Sequence, residues 1–277
     1  MSYRKHHVKS KIKKLKPKKS ILKNKWFWLL ILALIIVCGI LYSLLFSKFL
    51  SVNNIIISGN KDINKEDILS IAENNINRNL FSIASWHVLS KSIFLVNIEN
   101  VKNVIKEKYP KIEGVVVKKK LFQTLNINVK EREAIVIFCN KVEQSLENCY
   151  FVDKEGIAFE ELKDLQNDYI IITKETMDEK VSLKDQVIRK DVIDAILKTQ
   201  KTLKDNYGVD VKEVLIQNQS RLDIKTSEKW QIYLTTDFNL DMQITKLNLL
   251  LKEEITEEVR KKLQYIDLRF KDRAYYK

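Results

Sequence analysis

Hydrophobic and polar positions change rhythm three times along this chain. Residues 26–46 carry 21 consecutive uncharged side chains. At about 1.5 Å per helical residue the run reaches roughly 31 Å, the hydrocarbon thickness of a bilayer. Backbone in hydrocarbon must satisfy its own polar groups, so the run is predicted to be a single transmembrane helix. Trp26 and Trp28 at one end and Tyr42 at the other suit the interfacial zones. A cleaved signal peptide would show a shorter apolar stretch and small residues at a cleavage point; Ser-Leu-Leu-Phe-Ser-Lys over 43–48 fits that poorly.

Beyond the anchor the periods shorten to those of a folded domain. A strand is predicted over 52–58 and a turn at Gly59-Asn60. A helix capped by Asn64 follows, with Ile68, Leu69, Ile71, Ala72 and Ile76 on its apolar stripe. A second helix covers 98–108 with Val101, Val104 and Ile105 inward, and Pro110 closes it. Two alternating runs, 115–119 and 121–130, then read as a hairpin whose Leu125, Ile127 and Val129 face a core.

A third stretch begins near residue 133. Strands are expected at 135–138, at 149–159 in two runs joined by the acidic turn Asp153-Lys154-Glu155-Gly156, and at 169–173. A helix follows over 183–206, with Ser182 and Asp185 as its capping pair, Val187, Ile188, Val192, Ile196 and Leu203 inward, and Gly208 as its stop. Strands at 211–217, 221–226 and 231–235, a helix at 240–253 and a closing strand at 265–270 complete the pattern. The fold class is α+β: one transmembrane helix, a small strand–helix–helix–strand–strand domain, and a mixed β-sheet domain with flanking helices. The divisions are 1–25 tail, 26–46 helix, 50–132 first domain and 133–277 second domain.

Charge changes the picture at one point. The net charge of +13 would suggest a nucleic-acid binder, but the first 25 residues hold eleven Lys or Arg and no acid. What remains is 38 basic against 36 acidic side chains, a mixture that draws no polyanion. No specific nucleic acid is expected as a partner. The basic tail places the N-terminus in the cytoplasm and everything after Lys48 outside, and it suits anionic lipid.

The element order just outside a single anchor resembles a POTRA domain. The segments Ile55-Ile56-Ile57-Ser58-Gly59-Asn60, Asn79-Leu80-Phe81 and Val129-Lys130-Glu131-Arg132-Glu133 resemble signatures of the FtsQ/DivIB cell-division family. So do Cys149 to Phe159 at the start of the second domain and Tyr265-Ile266-Asp267-Leu268-Arg269-Phe270 at its end. Two departures stand out: residues 82–96 are longer than the family's usual connection and read as an extra apolar turn, and Lys118 to Phe122 lack the family's Arg and Pro at the hairpin tip.

The resemblance implies a division scaffold recruiting FtsB/DivIC-like and FtsL-like single-pass proteins during septum formation. In the family the end of the β-domain does this, which points to Tyr265, Asp267, Arg269, Phe270 and Lys271. By alternation Ile266, Leu268 and Phe270 face the core while Tyr265, Asp267, Arg269 and Lys271 are free. A terminal strand also offers an edge for strand addition.

Enzyme signatures are missing. His87 is the only histidine beyond the tail and reads as a polar residue in an apolar turn, and no Cys-x-x-Cys, His-Glu-x-x-His or Gly-x-Ser-x-Gly occurs. Ser58-Gly59-Asn60-Lys61 matches Ser-x-x-Lys but lacks a Lys-Thr-Gly partner and reads as a turn. Glu131, Glu133, Glu253 and Glu254 sit among cations and read as solvated faces. No cofactor, metal or small-molecule substrate is called for. Cys38 lies in the anchor. Cys139 and Cys149 flank a loop between two strands, where a bridge worth about 3 kcal/mol and two free thiols are both compatible with the sequence. An anchored envelope sensor binding a small ligand is the alternative; a pocket of convergent polar groups would favour it.

Overall fold

The computed structural model describes residues 25–277, apart from 84–85, 121–122, 143–144, 165–167, 175–180 and 218–219. The basic tail up to residue 24 and the hairpin tip at Leu121 and Phe122 lie outside the described residues, as does the side chain of His87. The chain divides into two compact units.

One unit takes in the chain up to Asn54 together with Ile76–Val96 and Lys119–Leu125. Its helix α1, Lys25–Phe46, has no residue buried by protein and is the one helix among the described residues long and apolar enough to cross a membrane. A 3-10 turn follows at Lys48–Leu50, where the Ser47 hydroxyl accepts the Phe49 N–H at 3.2 Å. The stretch expected as an apolar turn is instead an antiparallel hairpin. Its strands are β2 (Arg78–Ile83), which contains the Asn79-Leu80-Phe81 signature, and β3 (Trp86–Ser90). Each is a short run with no proline, carrying an aromatic and a β-branched residue (Phe81 and Ile83, Trp86 and Val88), and too short to show a period of its own.

The other unit holds Ile55–Asn75, Asn97–Lys118 and everything from Asn126 onward. A three-stranded sheet, β1 (Asn54–Ser58), β5 (Thr124–Glu131) and β4 (Ile112–Lys120), lies in the order β1-β5-β4. Helices α2 (Lys65–Ile76) and α3 (Ile98–Lys108) accompany it. Ile57, Ile68, Ala72, Val101, Ile105, Val115, Ile127 and Val129 are buried, whereas Leu69 and Val104 are only partly so. Asn97 caps α3 by accepting the Asn100 N–H at 3.2 Å. At Gly59, φ is +84°, and an added Cβ would stand 2.1 Å from the Val129 carbonyl oxygen. Only glycine lets the turn pass this close to β5.

Nine strands form the large sheet. They are β6 (Val136–Val142), β7 (Ser145–Val152), β8 (Ala158–Glu161), β9 (Ile170–Lys174), β10 (Val211–Ile216), β11 (Arg221–Thr226), β12 (Gln231–Thr235), β13 (Tyr265–Asp267) and β14 (Tyr275–Tyr276). Their order is β14-β13-β12-β11-β10-β9-β6-β7-β8. One face packs under α4 (Lys190–Tyr207) and α5 (Leu240–Glu253) in a core built around Phe138, Ile172, Ile196, Leu203, Trp230 and Ile266. The short α6 (Glu257–Arg260) leads into β13. On the opposite face Ile137 packs beside a disulfide between Cys139 and Cys149, which sit directly opposite each other on β6 and β7.

The helix expected from residue 183 begins only at Lys190. Its first two apolar turns are drawn away by backbone partners: Lys184 N–H donates to Ala158 (2.7 Å) and Val187 N–H to Gly156 (2.9 Å), while Lys184 has φ +80°. Ser182 and Asp185 do pair, at 2.8 Å, but as a local turn rather than a helix cap. Tertiary strand-like pairing has overridden a helical period here. Gly208, at φ +67°, ends α4 as expected.

Candidate partner-binding site

The closing segment is a short strand and a return, not one long edge strand. β13 ends at Asp267; Leu268 still donates its N–H to the Tyr233 carbonyl (3.0 Å), and the chain then loops and comes back as β14. β14 pairs antiparallel with β13 and takes the sheet edge that the sequence assigned to β13. Lys246 Nζ holds the loop by donating to the carbonyls of Phe270 (2.8 Å), Lys271 (3.0 Å) and Arg273 (3.3 Å). Phe270 and Tyr275 close it edge to face, with centroids 5.1 Å apart.

On the sheet face away from the helices, Asp223, Tyr233 and Asp267 stand side by side across β11, β12 and β13. Arg221 forks onto Asp223 with bonds of 2.7 and 2.9 Å, and Arg269 forks onto Asp267 with 2.9 and 2.6 Å. Both guanidinium carbons lie over the Tyr233 ring, at 5.0 and 5.3 Å, and Tyr265 stacks on the same ring at 5.5 Å. The planar Arg fork suits both tasks at once, bidentate pairing and stacking.

The five expected site residues therefore part company. Asp267 was expected free and is 7% exposed, held inside this ladder. Arg269 and Tyr265 are half-buried. Phe270 was expected in the core and is 44% exposed, because the chain has already left the strand. Lys271 is exposed. Sequence reasoning missed Tyr275 and Tyr276, 45% and 44% exposed; the polar Lys271-Asp272 between two aromatic stretches was the hairpin signal available.

Burial pushes the Asp267 carboxyl up, but the Arg269 guanidinium and backbone N–H more than offset this and hold it below its ordinary 3.8. A carboxylate depressed in the folded state stabilises fully above its unfolded value and loses that contribution as pH falls through the folded one. The melting temperature should thus hold down to about pH 4 and fall below it. Asp267→Asn should make that acid decline shallower, and an unchanged pH profile would count against the pairing.

A cleft of about 430 Å³ is lined by Lys61, Glu113, residues 128–133, Asp153 and others. Most of its charged groups are already engaged by neighbouring charges or backbone N–H groups. Glu131, expected on a solvated face, is 7% exposed and accepts the N–H groups of Lys61 (2.7 Å), Asp62 (3.0 Å) and Ile63 (3.2 Å). Arg132 pairs with Asp153, Lys61 with Glu133 (2.7 Å) and Lys130 with Glu113 (2.7 Å). The signature around 129–133 thus ties the first domain's turn and exit together.

The model for the cell division protein FtsQ/DivIB C-terminal region matches residues 142–269, ending at Arg269 of the ladder, and the model for the FtsQ-type POTRA domain matches residues 83–132. No curated protein sequence matches the chain at a significant level. The two matches are consecutive, belong to one family and fall on the mixed sheet and the small domain that follow the apolar helix. The chain belongs to the FtsQ/DivIB family of cell division proteins.

Proposed function

We propose that this protein is a bitopic scaffold of the division machinery. Its basic tail lies in the cytoplasm, α1 crosses the membrane once, and a POTRA domain (50–132) and β-domain (133–277) stand outside at the septum. The β-domain recruits single-pass partners of the FtsB/DivIC and FtsL kind, and the protein performs no chemistry itself.

The observation that carries this reading is the outer edge of β14. Lys277 and Tyr265 exchange both backbone bonds (3.1 and 3.4 Å). In an antiparallel pair the next residue along, Tyr276, then turns its N–H and C=O away from β13. A partner strand can add there, with Phe270, Tyr275 and Tyr276 giving it exposed aromatic surface. Arg269 and Asp267 support the site by fixing where the loop begins.

Tyr276→Pro tests it, since proline removes the outward donor while an edge position tolerates its ring. Capture of the cell's FtsB/DivIC-like and FtsL-like pair by the full chain should be lost with Tyr276→Pro and partly kept with Tyr276→Ala, which retains the N–H. Capture by the proline variant at the parent level would move the site elsewhere on the β-domain.

A further inference from the structure

The charge of the ectodomain, balanced overall, is segregated between the two units. Segments 47–54, 76–96 and 119–125 contain five cations, Lys48, Arg78, Lys91, Lys119 and Lys120, and no Asp or Glu. The rest of the ectodomain is correspondingly acidic. These three acid-free segments come together in the unit that also contains α1.

Their depth relative to the helix is fixed by hydrogen bonds. The Ser90 hydroxyl donates to the Leu45 carbonyl at 2.5 Å and the Ser92 hydroxyl to the Leu44 carbonyl at 2.7 Å. Two of the last carbonyls of α1, which have no partner inside the helix, are thereby satisfied by the end of the β2–β3 hairpin. Backbone bonds fasten the same region to the exit of α1: Val52 N–H to Lys91 (3.0 Å) and Ile93 N–H to Leu50 (2.8 Å), joined by Gln123 Nε2 to the Lys48 carbonyl (3.1 Å). At about 33 Å the helix spans little more than the hydrocarbon, so its last turn lies at the boundary with the headgroups. Ser90 and Ser92 lie at that boundary with it.

Around them Lys48, Lys91 and Lys119 are exposed, as are Phe49 (60%) and Phe94 (57%). Lys119 Nζ reaches the Phe94 carbonyl at 3.2 Å, which keeps a cation beside that ring. Exposed aromatic rings among cations and no acids, at the level of the headgroups, match the chemistry of an anionic bilayer surface.

We propose that the end of β3 with residues 91–94, the α1 exit and the end of β4 form a collar that binds anionic phospholipid headgroups of the leaflet from which α1 emerges. Lys48, Lys91 and Lys119 meet phosphates and Phe94 enters the interface. The proposal rests on α1 spanning the membrane but is independent of its orientation and of the partner site. It gives residues 90–94 a role as a lipid contact at the exit of α1.

The test uses the full chain in nanodiscs carrying headgroup spin-labelled lipid, with a fluorophore on Phe94→Cys in a Cys38→Ser background. A second label, on Leu249→Cys, reports from the exposed face of α5. Native Cys38, labelled separately and quenched from the acyl chains, verifies that α1 has inserted. Adding phosphatidylglycerol to phosphatidylcholine discs should raise quenching at 94 about twofold and leave 249 unchanged. The combined Lys48→Glu, Lys91→Glu and Lys119→Glu variant should abolish the rise. So should raising salt from about 0.1 M to about 1 M, which shortens the screening length from about 10 Å to about 3 Å and requires no mutation. Quenching at 94 that ignores phosphatidylglycerol, or a rise that survives both charge reversal and salt, overturns the proposal in favour of an acidic protein partner or simple tethering.

Discussion

Asp153→Ala should lower the stability of the folded region after α1 by about 3–5 kcal/mol, a drop in melting temperature on the order of 10 °C. The carboxylate is 3% exposed and does three things at once. Its Oδ1 accepts the N–H groups of Glu155 (2.9 Å) and Ile157 (3.0 Å), and its Oδ2 takes the guanidinium of Arg132. Alanine leaves that guanidinium, whose side chain is 12% exposed, with only the Pro110 carbonyl at 3.2 Å. A buried cation without its counter-charge is the costly half of a broken pair. The turn cannot relax to compensate, because Gly156 at φ +81° passes so close to the Ile188 carbonyl that a Cβ would stand 1.8 Å from its oxygen. Asp153→Asn separates the two roles, since it keeps an acceptor for the turn and loses the charge. It should cost roughly half as much. Thermal melts of the full chain in micelles give both values, and an Asp153→Ala melt within a degree of the parent would remove Asp153 from this role.

The elements that the sequence predicted well are those whose period had no competitor. Residues 98–108 and 240–253 are helical over the predicted spans, and strands 221–226 and 231–235 likewise. Each has a long amphipathic pattern, and Asn97 and Asn239 cap the two helices. The misreadings share one cause, long-range pairing that a local pattern cannot display. Residues 183–189 have helical spacing, yet the N–H groups of Lys184, Val187 and Ile188 bond to Ala158 and Gly156. The hairpin at 78–90 was hidden because its strands pair with each other rather than with a larger sheet. Glu131 looked like any charge between Lys130 and Arg132, and nothing local says that three N–H groups 68 to 70 residues earlier point at it. Over 265–271 alternation placed Asp267 on the correct face but could not show Arg269 covering it, and it failed at Phe270 because β13 ends after three residues.

That last failure changes what Arg269→Glu should do. Read as a free charge, Arg269 could be reversed with little effect on folding. In the structure its guanidinium makes two bonds to a buried carboxylate and lies 5.3 Å from the Tyr233 ring. Reversal places a second carboxylate beside Asp267, with Asp223 on the neighbouring side of Tyr233. The pair is partly solvated, since the Arg269 side chain is 31% exposed, so the cost falls below that of a fully buried pair. About 2–4 kcal/mol is expected, seen as a lower melting temperature and a freed C-terminal loop. Arg269→Lys keeps the charge but loses the fork, and should sit between the two. Loss of partner capture in Arg269→Glu is then ambiguous between a removed contact and a loosened β13–β14 return. Adding Asp267→Asn to the Arg269→Glu variant resolves it, because the second change removes the repulsion while position 269 keeps its reversed charge. Recovery of stability without recovery of capture assigns Arg269 to the interface; recovery of both makes it a positioning residue that acts through the loop. A reversed variant that melts with the parent would show that the Arg269–Asp267 pair does not hold this end of the sheet.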